Sequence, residues 1–312
     1  MLWVLKFTVT FNAIDGLTMP QPQPKQYHQP LVWRVLGALV LLLTVIAAVW
    51  GLRPLWFDSE AVDAPLALRE IPERRVAEDA ITLFPSVLPS ADMSALPDLS
   101  EPTDVEARKQ AFYDFLLPLI QIENERLLVK RAYLANWLEQ LERGTEPDPA
   151  LLAELLELAE DYYIDSGLSP TATIEQLLQQ MDTLPPSMII AQSANESAWG
   201  TSRFATEGNN LFGQWCFTPG CGLVPQNRPE GETYEVRAFA SPALSVRAFI
   251  LNLNRHHSYE DLRAKRALMR AEGRPVTGLD LVPYLINYSI RREEYVAEIA
   301  QTIRFNHLQD LD

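Results

Sequence analysis

The chain has 312 residues, with 26 Lys and Arg against 41 Asp and Glu for a formal charge of -15, four His and two Cys. That length allows one or two domains, and the acidic balance removes the basic surplus on which general nucleic-acid binding depends, so no nucleic-acid partner is expected. Two Cys and four scattered His exclude a disulfide-rich miniprotein, a four-cysteine zinc site and HExxH-type ligand spacing, so no metal site is predicted. The acidity is uneven: residues 1–169 carry 13 basic and 25 acidic side chains, residues 170–312 carry 13 and 16.

The first predicted element is a transmembrane anchor over residues 35–52. Eighteen residues there, VLGALVLLLTVIAAVWGL, contain no charge, and at 1.5 Å per residue they make a helix of about 27 Å, close to the hydrocarbon thickness. Arg34 and Arg53 bracket the run, and Trp33, Trp50 and Trp56 lie near its ends, where interfacial aromatics belong. A cleavable signal peptide is the alternative, with Val45-Ile46-Ala47 as its only small-residue site. Residues 1–34 are read as a cytoplasmic tail. Met19 opens the Pro/Gln-rich stretch MPQPQPKQYHQP, which makes residues 1–18 a candidate over-called start. Basic residues on the two sides balance, Lys25 and Arg34 against Arg53 and Arg69. The long C-terminal portion with its close cysteine pair points that portion outward, and the expected location is the bacterial inner membrane, single-pass, with the C-terminal domain periplasmic.

Residues 53–102 hold seven prolines, four basic and ten acidic side chains, which predicts an extended acidic linker in place of helix. A helical N-terminal region over 103–169 follows. Thr103-Asp104-Val105-Glu106 reads as a capping box opening a helix to about Arg143, with a kink expected at Pro118. Asp148-Pro149 predicts a second helix to Asp165 stopped by Gly167, and a third spans about Thr173 to Asp182. Their Leu and Tyr stripes serve packing.

Residues 170–312 are the predicted catalytic domain. Pro185-Pro186-Ser187 opens a helix whose apolar face (Met188, Ile189, Ala191, Ala194) carries Glu196 at its far end, followed by Trp199 and Gly200. A carboxyl leaving a buried helix beside an indole is desolvated, which raises its pKa toward use as a general acid. Further on, Ser241-Pro242 opens a helix to about Asn254, and another crosses Asp261 to Arg270. Adjacent His256 and His257 are read as surface residues, because neighbours on a helix point to different sides. Cys216 and Cys221 enclose the turn sequence Phe-Thr-Pro-Gly, which suits a disulfide in an oxidising compartment. Two free thiols, or half of a metal site, are the alternatives.

Three ordered segments, AQSANESAWGTSRFA (191–205), GNNLFGQW (208–215) and YLINYSIRREEYVAEI (284–299), resemble the glucosaminidases of glycoside hydrolase family 73, and within it the bacterial Bax-type branch. The resemblance extends to mannosyl-glycoprotein endo-beta-N-acetylglucosaminidase-like domains. It covers about residues 175–308, and RKQAFYDFLLPLIQIENERLL (108–128) is similar to the upstream region of Bax-type proteins. The resemblance implies a mainly α, lysozyme-like α+β domain with a small β-lobe and a groove for peptidoglycan glycan strands. It further implies Glu196 as the catalytic acid, Asn210, Leu211, Phe212 and Gly213 as a turn lining the groove, and Tyr288 beside the carboxylate. Tyr295, the second tyrosine of the Y-x(6)-Y pair that Tyr288 opens, is implied as a groove residue used for packing.

Glycoside hydrolysis needs a proton donor and something that stabilises an oxocarbenium-like centre. Glu232 and Glu235, in the strand-like PEGETYEVRAFAS, are the candidates for a second carboxylate, with Glu232 preferred. If neither acts, Tyr288 is the candidate to orient water or the sugar's acetamido group. Trp215, Phe212 and Tyr234 offer flat rings to the apolar face of a pyranose, and Gln192, Asn209 and Gln214 offer hydrogen bonds. Trp199 is expected to pack under the Glu196 turn. The expected activity is cleavage of the β-1,4 bond between N-acetylglucosamine and N-acetylmuramic acid, with no cofactor required. Lytic transglycosylase-like cleavage and a non-catalytic wall-binding scaffold are the alternatives.

Overall fold

The computed structural model describes residues 95–100 and 104–312. The tail, the proposed anchor at 35–52 and most of the acidic linker lie outside the described residues. Among the described residues no helix is long and apolar enough to cross a membrane.

The described chain is mainly helical, with one small sheet. Helix α1 (Val105–Glu142) contains Pro118 and, at 1.5 Å per residue, is about 57 Å long. Its cap is Asp104, whose carboxylate accepts the Ala107 amide at 2.8 Å. The carboxylate of Asp104 thus takes the capping role that the sequence pattern assigned to Thr103. Phe112, Phe115, Leu116, Leu119, Ile120, Leu127, Leu134 and Trp137 form its buried stripe.

Helix α2 (Pro149–Asp161) stops four residues before the predicted Asp165. The Tyr162 and Ile164 amides both return to the Ala159 carbonyl, and Tyr163 adopts a left-handed φ of 57° between them. That local closure ends the helix before Gly167 is reached. Helix α3 (Pro170–Gln180) begins earlier than Thr173, because Ser169 caps it through the Ala172 amide and Pro170 occupies the first turn.

Helix α4 (Pro186–Ser197) is the centre of the fold: residues 187–194 are all buried. A helix buried on every side has to be surrounded by other elements, and α1, the segments Gly278–Leu281 and Glu293–Phe305 and the final 3₁₀ turn pack around it. Its N-terminus is held by Asp312, whose carboxylate accepts the Ser187 amide at 3.0 Å, the Ser187 hydroxyl at 2.8 Å and the Gly278 amide at 2.8 Å. After the short α5 (Arg203–Gly208) come β1 (Trp215–Cys216), β2 (Gly222–Leu223) and β3 (Glu235–Arg237). The strands form an antiparallel sheet ordered β1-β3-β2, with Trp215 opposite Val236, Cys216 opposite Glu235 and Gly222 opposite Arg237. A Cβ at Gly222 would lie 2.0 Å from the Val236 carbonyl oxygen, so only glycine lets β2 approach this closely.

Helices α6 (Pro242–Arg255), α7 (Glu260–Ala271), α8 (Gly278–Leu281) and α9 (Glu293–Phe305), with 3₁₀ turns at His257–Tyr259, Val282–Leu285 and Leu308–Leu311, complete the domain. His256 is buried and His257 exposed. The expectation that both are surface residues fails for His256, because it caps the 3₁₀ turn through its Nδ1, which accepts the Ser258 amide at 3.2 Å.

One hydrophobic core runs from Leu99 through α1–α4 to Ile303 and Leu308, so the N-terminal helices and the C-terminal half share an interior. A polar knot stitches them together. Asp182, 4% exposed, faces Arg270 in a bidentate pair, Arg131 of α1 at 3.7 Å and Arg266 at 3.8 Å. Burial pulls the Arg266 guanidinium down to about 10, partly offset by the Asp182 charge.

Candidate active site

Glu196 stands in the last turn of α4, half-buried. Burial is the largest influence on its carboxyl and pushes the pKa up. Hydrogen bonds from Tyr295 and Asn195, and the charge of Arg291, oppose that rise, while Glu298 adds to it. The outcome is a carboxyl that holds its proton at higher pH than an ordinary glutamate, which is what a general acid requires. The chain leaves the helix through Ala198, Trp199 and Gly200, with left-handed φ values of 51°, 58° and 78°, so the backbone turns away directly after the acid.

Tyr295 lies under this carboxyl. Its hydroxyl accepts from Gln192 Nε2 at 3.1 Å and bonds Glu196. The Tyr288 hydroxyl instead donates to the Phe212 carbonyl at 3.0 Å, while its ring stacks on Tyr295 at 5.3 Å and 10°. The two tyrosines therefore take roles opposite to those expected: Tyr295 bonds the acid, and Tyr288 supports the turn opposite it. A third ring, Tyr259, is fully buried, and Glu196 adds to the rise of its pKa as it does for Tyr288 and Tyr295.

That opposite turn, Asn210 to Gly213, is built around one amide. Asn210 donates through Nδ2 to the carbonyls of Gln214 and Arg237, both at 2.8 Å, and accepts the amides of Phe212 and Gln214 through Oδ1 at 3.2 and 3.1 Å. Phe212 stacks on Phe249 at 4.0 Å and is fully buried. Gln214 exchanges hydrogen bonds with Ser245, and Asn209 donates to the Phe239 carbonyl at 2.9 Å. Gln192, Asn210, Phe212 and Gln214, expected to meet substrate, are turned into the protein, because the turn needs their polar groups and the core needs the ring.

What the turn presents to the acid is Gly213. Its φ is +65°, and a Cβ built there would sit 3.5 Å from Glu196 Oε2. A side chain at this position would be strained by the backbone and would occupy space against the carboxyl.

Trp215 and Tyr234, both half-buried, stack on each other at 4.2 Å and 5°, and Arg228 fixes Tyr234 by donating to its carbonyl at 3.0 Å. Glu235, a candidate second carboxylate, accepts the amides of Gly220 and Gly222 at 3.0 and 2.8 Å. Those two bonds draw its pKa down. Its charge is used to clamp the loop around Cys221. Glu232 is exposed in the turn at residues 229–233, its amide on the Pro229 carbonyl at 3.2 Å.

Cys216 and Cys221 are joined as a disulfide. Their sulfurs and a Glu235 oxygen lie within 4.8 Å of one another, but sulfurs bonded to each other have no thiolate to offer a metal. Beyond the predicted residues, Arg291 stands out: it pairs with Glu298 at 2.7 Å, lies over the Tyr295 ring at 5.8 Å and acts on Glu196 by its charge. Arg291 precedes α9 and reaches Glu298 from outside the helix, so helical spacing in the sequence carries no signal for the pair.

A carboxyl whose pKa burial raises, facing a glycine turn and bonded by a helix-borne tyrosine, is the kind of group an acid-catalysed glycosidase uses. A family model described as mannosyl-glycoprotein endo-beta-N-acetylglucosaminidase matches residues 171–307. "Protein bax" of Escherichia coli (strain K12) is 33% identical over 207 residues, which is 66% of this chain and 72% of that protein. The chain belongs to the glucosaminidase family, and it is a homologue of that protein. No solved structure matches it.

Proposed function

We propose that this chain is a peptidoglycan hydrolase that cleaves the β-1,4 bond between N-acetylglucosamine and N-acetylmuramic acid, with Glu196 as the proton donor. The observation that carries the reading is the raised pKa of Glu196 where its carboxyl faces Gly213. The proton passes from Glu196 to the glycosidic oxygen as the bond from that oxygen to C1 breaks, and positive charge develops on the ring. With Glu235 committed to two backbone amides, the substrate's own acetamido oxygen is the group that closes on C1, and water then reopens the ring so formed. Glu196, left as a carboxylate stabilised by Tyr295, takes the proton of that water and is reset.

The same single-acid arrangement favours a second reading, lytic transglycosylase-like cleavage, in which the bond cut is the one from C1 of the muramic sugar to the next N-acetylglucosamine: Glu196 protonates the leaving oxygen, and the muramic sugar's own 6-hydroxyl closes on that C1 in place of water and gives up its proton to the Glu196 carboxylate. Mass spectrometry of the sugar ends released from purified sacculi separates the two. Reducing N-acetylglucosamine ends support the hydrolase, and 1,6-anhydro ends reject it in favour of the second reading. Intact sacculi after incubation with active-site-competent protein reject both.

The enzyme is proposed to work from the bacterial inner membrane, held by residues 35–52 with the catalytic domain in the periplasm. The Cys216–Cys221 disulfide supports an oxidising compartment. Protease added to spheroplasts should digest the domain and leave the tail before Arg34; release of a shortened soluble form would overturn the anchor.

A further inference from the structure

The turn that carries the acid away is braced by residues that precede the matched domain. Three left-handed residues in succession, Ala198, Trp199 and Gly200, cost about 1–2 kcal/mol for each that is not glycine, and such a run persists only where its surroundings hold it. Part of the hold is internal. The Trp199 amide returns to the Ala194 carbonyl at 3.0 Å, the Gly200 amide to Ser197 Oγ at 2.8 Å and the Ser202 amide to the Ser197 carbonyl at 2.9 Å. These bonds fix the shape of the turn but not its placement.

Placement comes from the start of the described chain. Phe112 and Tyr113 of α1 meet the Trp199 ring edge-on at 5.7 and 5.8 Å, and Lys109 Nζ lies 5.5 Å from the same ring. Leu99 is 3% exposed and covers Gly200: a Cβ there would be 2.5 Å from Leu99 Cδ1 and 3.3 Å from Phe112 Cδ2. Leu96 packs against the same core, and Asp98 closes the segment locally by accepting the amide and hydroxyl of Ser100 at 2.9 and 2.5 Å. The end of the proline-rich segment is thus a packed strap lying across the catalytic turn.

We propose that residues 96–100 are a positioning element of the active site, and that Leu99, wedged against Gly200, holds the left-handed turn that aims Glu196 at its substrate. This rests on the reading of Glu196 as proton donor. Leu99 touches no reacting atom; it acts through the turn. A shift of the carboxyl by an ångström is enough to lower turnover on the order of 100-fold while binding of the glycan is little changed. The part of the chain matched by the family, residues 171–307, is therefore incomplete as a catalyst without residues that lie outside it.

The test compares full-length wild type, Leu99→Ala and Leu99→Met by amide hydrogen exchange and by turnover of sacculi. In Leu99→Ala the Gly200 and Ser202 amides should exchange at least about tenfold faster, equivalent to roughly 1.4 kcal/mol, while amides in the middle of α2 stay unchanged. The kcat should fall about 10- to 100-fold with KM within about twofold, and the alkaline limb of the pH profile should move as the environment of Glu196 changes. Leu99→Met, which keeps the volume, should restore both readouts. Exchange that rises equally everywhere, or local loosening with normal kcat and an unmoved pH profile, would overturn the positioning role. If wild type releases no sugar ends, the hydrolase reading fails by itself, and the exchange comparison at Gly200 still decides whether the strap holds the turn.

Discussion

Tyr295→Phe removes one oxygen that has two jobs. Where Glu196 is ionised the hydroxyl donates to its carboxylate, a bond to a charged group worth about 1.5–3 kcal/mol, and it accepts from Gln192 Nε2 at 3.1 Å. Gln192 is fully buried and its Oε1 has no hydrogen-bond partner among the described residues, so freeing its Nε2 as well costs about 1–3 kcal/mol. The two losses share one site and do not simply add, which gives a destabilisation of about 2–4 kcal/mol above the folded pKa of Glu196. The dependence on pH tests the assignment more sharply. The folded pKa of Glu196 is raised, so the native state holds the proton more tightly than the unfolded chain, and stability falls as pH rises from the ordinary glutamate value of about 4.3 through the folded one. The Tyr295 bond lowers that folded pKa, so its removal should raise it further and deepen the fall. Urea denaturation of wild type and Tyr295→Phe across pH 4 to 8 should therefore diverge as pH rises. In a Glu196→Gln background the cost of Tyr295→Phe should shrink by at least about 1 kcal/mol, the charge-dependent share of the bond. A cost independent of pH, or one unchanged when Glu196 is replaced, would refute the pairing of Tyr295 with the acid.

Glu196→Gln should reduce release of sugar ends by at least about 100-fold, the lower end of what general acid catalysis contributes, and should raise the melting temperature at neutral pH while leaving it unchanged near pH 4, because the amide removes the cost of an ionised buried carboxyl. Asp182→Asn should destabilise by about 3–5 kcal/mol in urea, since Arg266, 1% exposed, loses its buried partner; a change under 1 kcal/mol would show that the surrounding carbonyls suffice. Replacing Cys216 and Cys221 by Ser should cost about 2 kcal/mol, the short enclosed loop restricting the unfolded chain only modestly, with local loosening of β1 seen by hydrogen exchange. Glu235→Gln should flatten the acid end of the stability profile: the lowered pKa of Glu235 stabilises the fold above the ordinary glutamate value, and that contribution is lost as pH falls through the folded one. An unaltered profile would sink the clamp assigned to this carboxylate.

Much of the domain is legible because its signals are local. Asp148-Pro149, Pro185-Pro186 and Ser241-Pro242 each mark a helix start through the missing proline amide or a capping oxygen, and α2, α4 and α6 begin there. Ser169-Pro170 carries the same signal and explains why α3 starts before Thr173. The end of α2 was not legible in the same way. It depends on Ile164 and Tyr162 folding back onto the buried Ala159 carbonyl, and nothing in Tyr163 itself demands a left-handed backbone.

At the site, sequence alone determined which groups are available and where along the chain they fall. The apolar face of α4 delivers Glu196 to a helix end beside Trp199, because a 3.6-residue period places it there whatever surrounds it. Partnership across the fold is another matter. Tyr288 and Tyr295 are seven residues apart and both buried, yet which hydroxyl meets Glu196 and which meets the Phe212 carbonyl depends on how α9 and the Asn210–Gly213 turn sit against α4. Glu235 reads as a reactive carboxylate until the loop at Cys221 brings two amides onto it. Leu99 reads as linker until its side chain is found over Gly200, 101 positions further along the chain. Periodicity and caps are properties of neighbours in sequence. Hydrogen bonds, desolvation and contact are properties of neighbours in space, and only the tertiary structure chooses those.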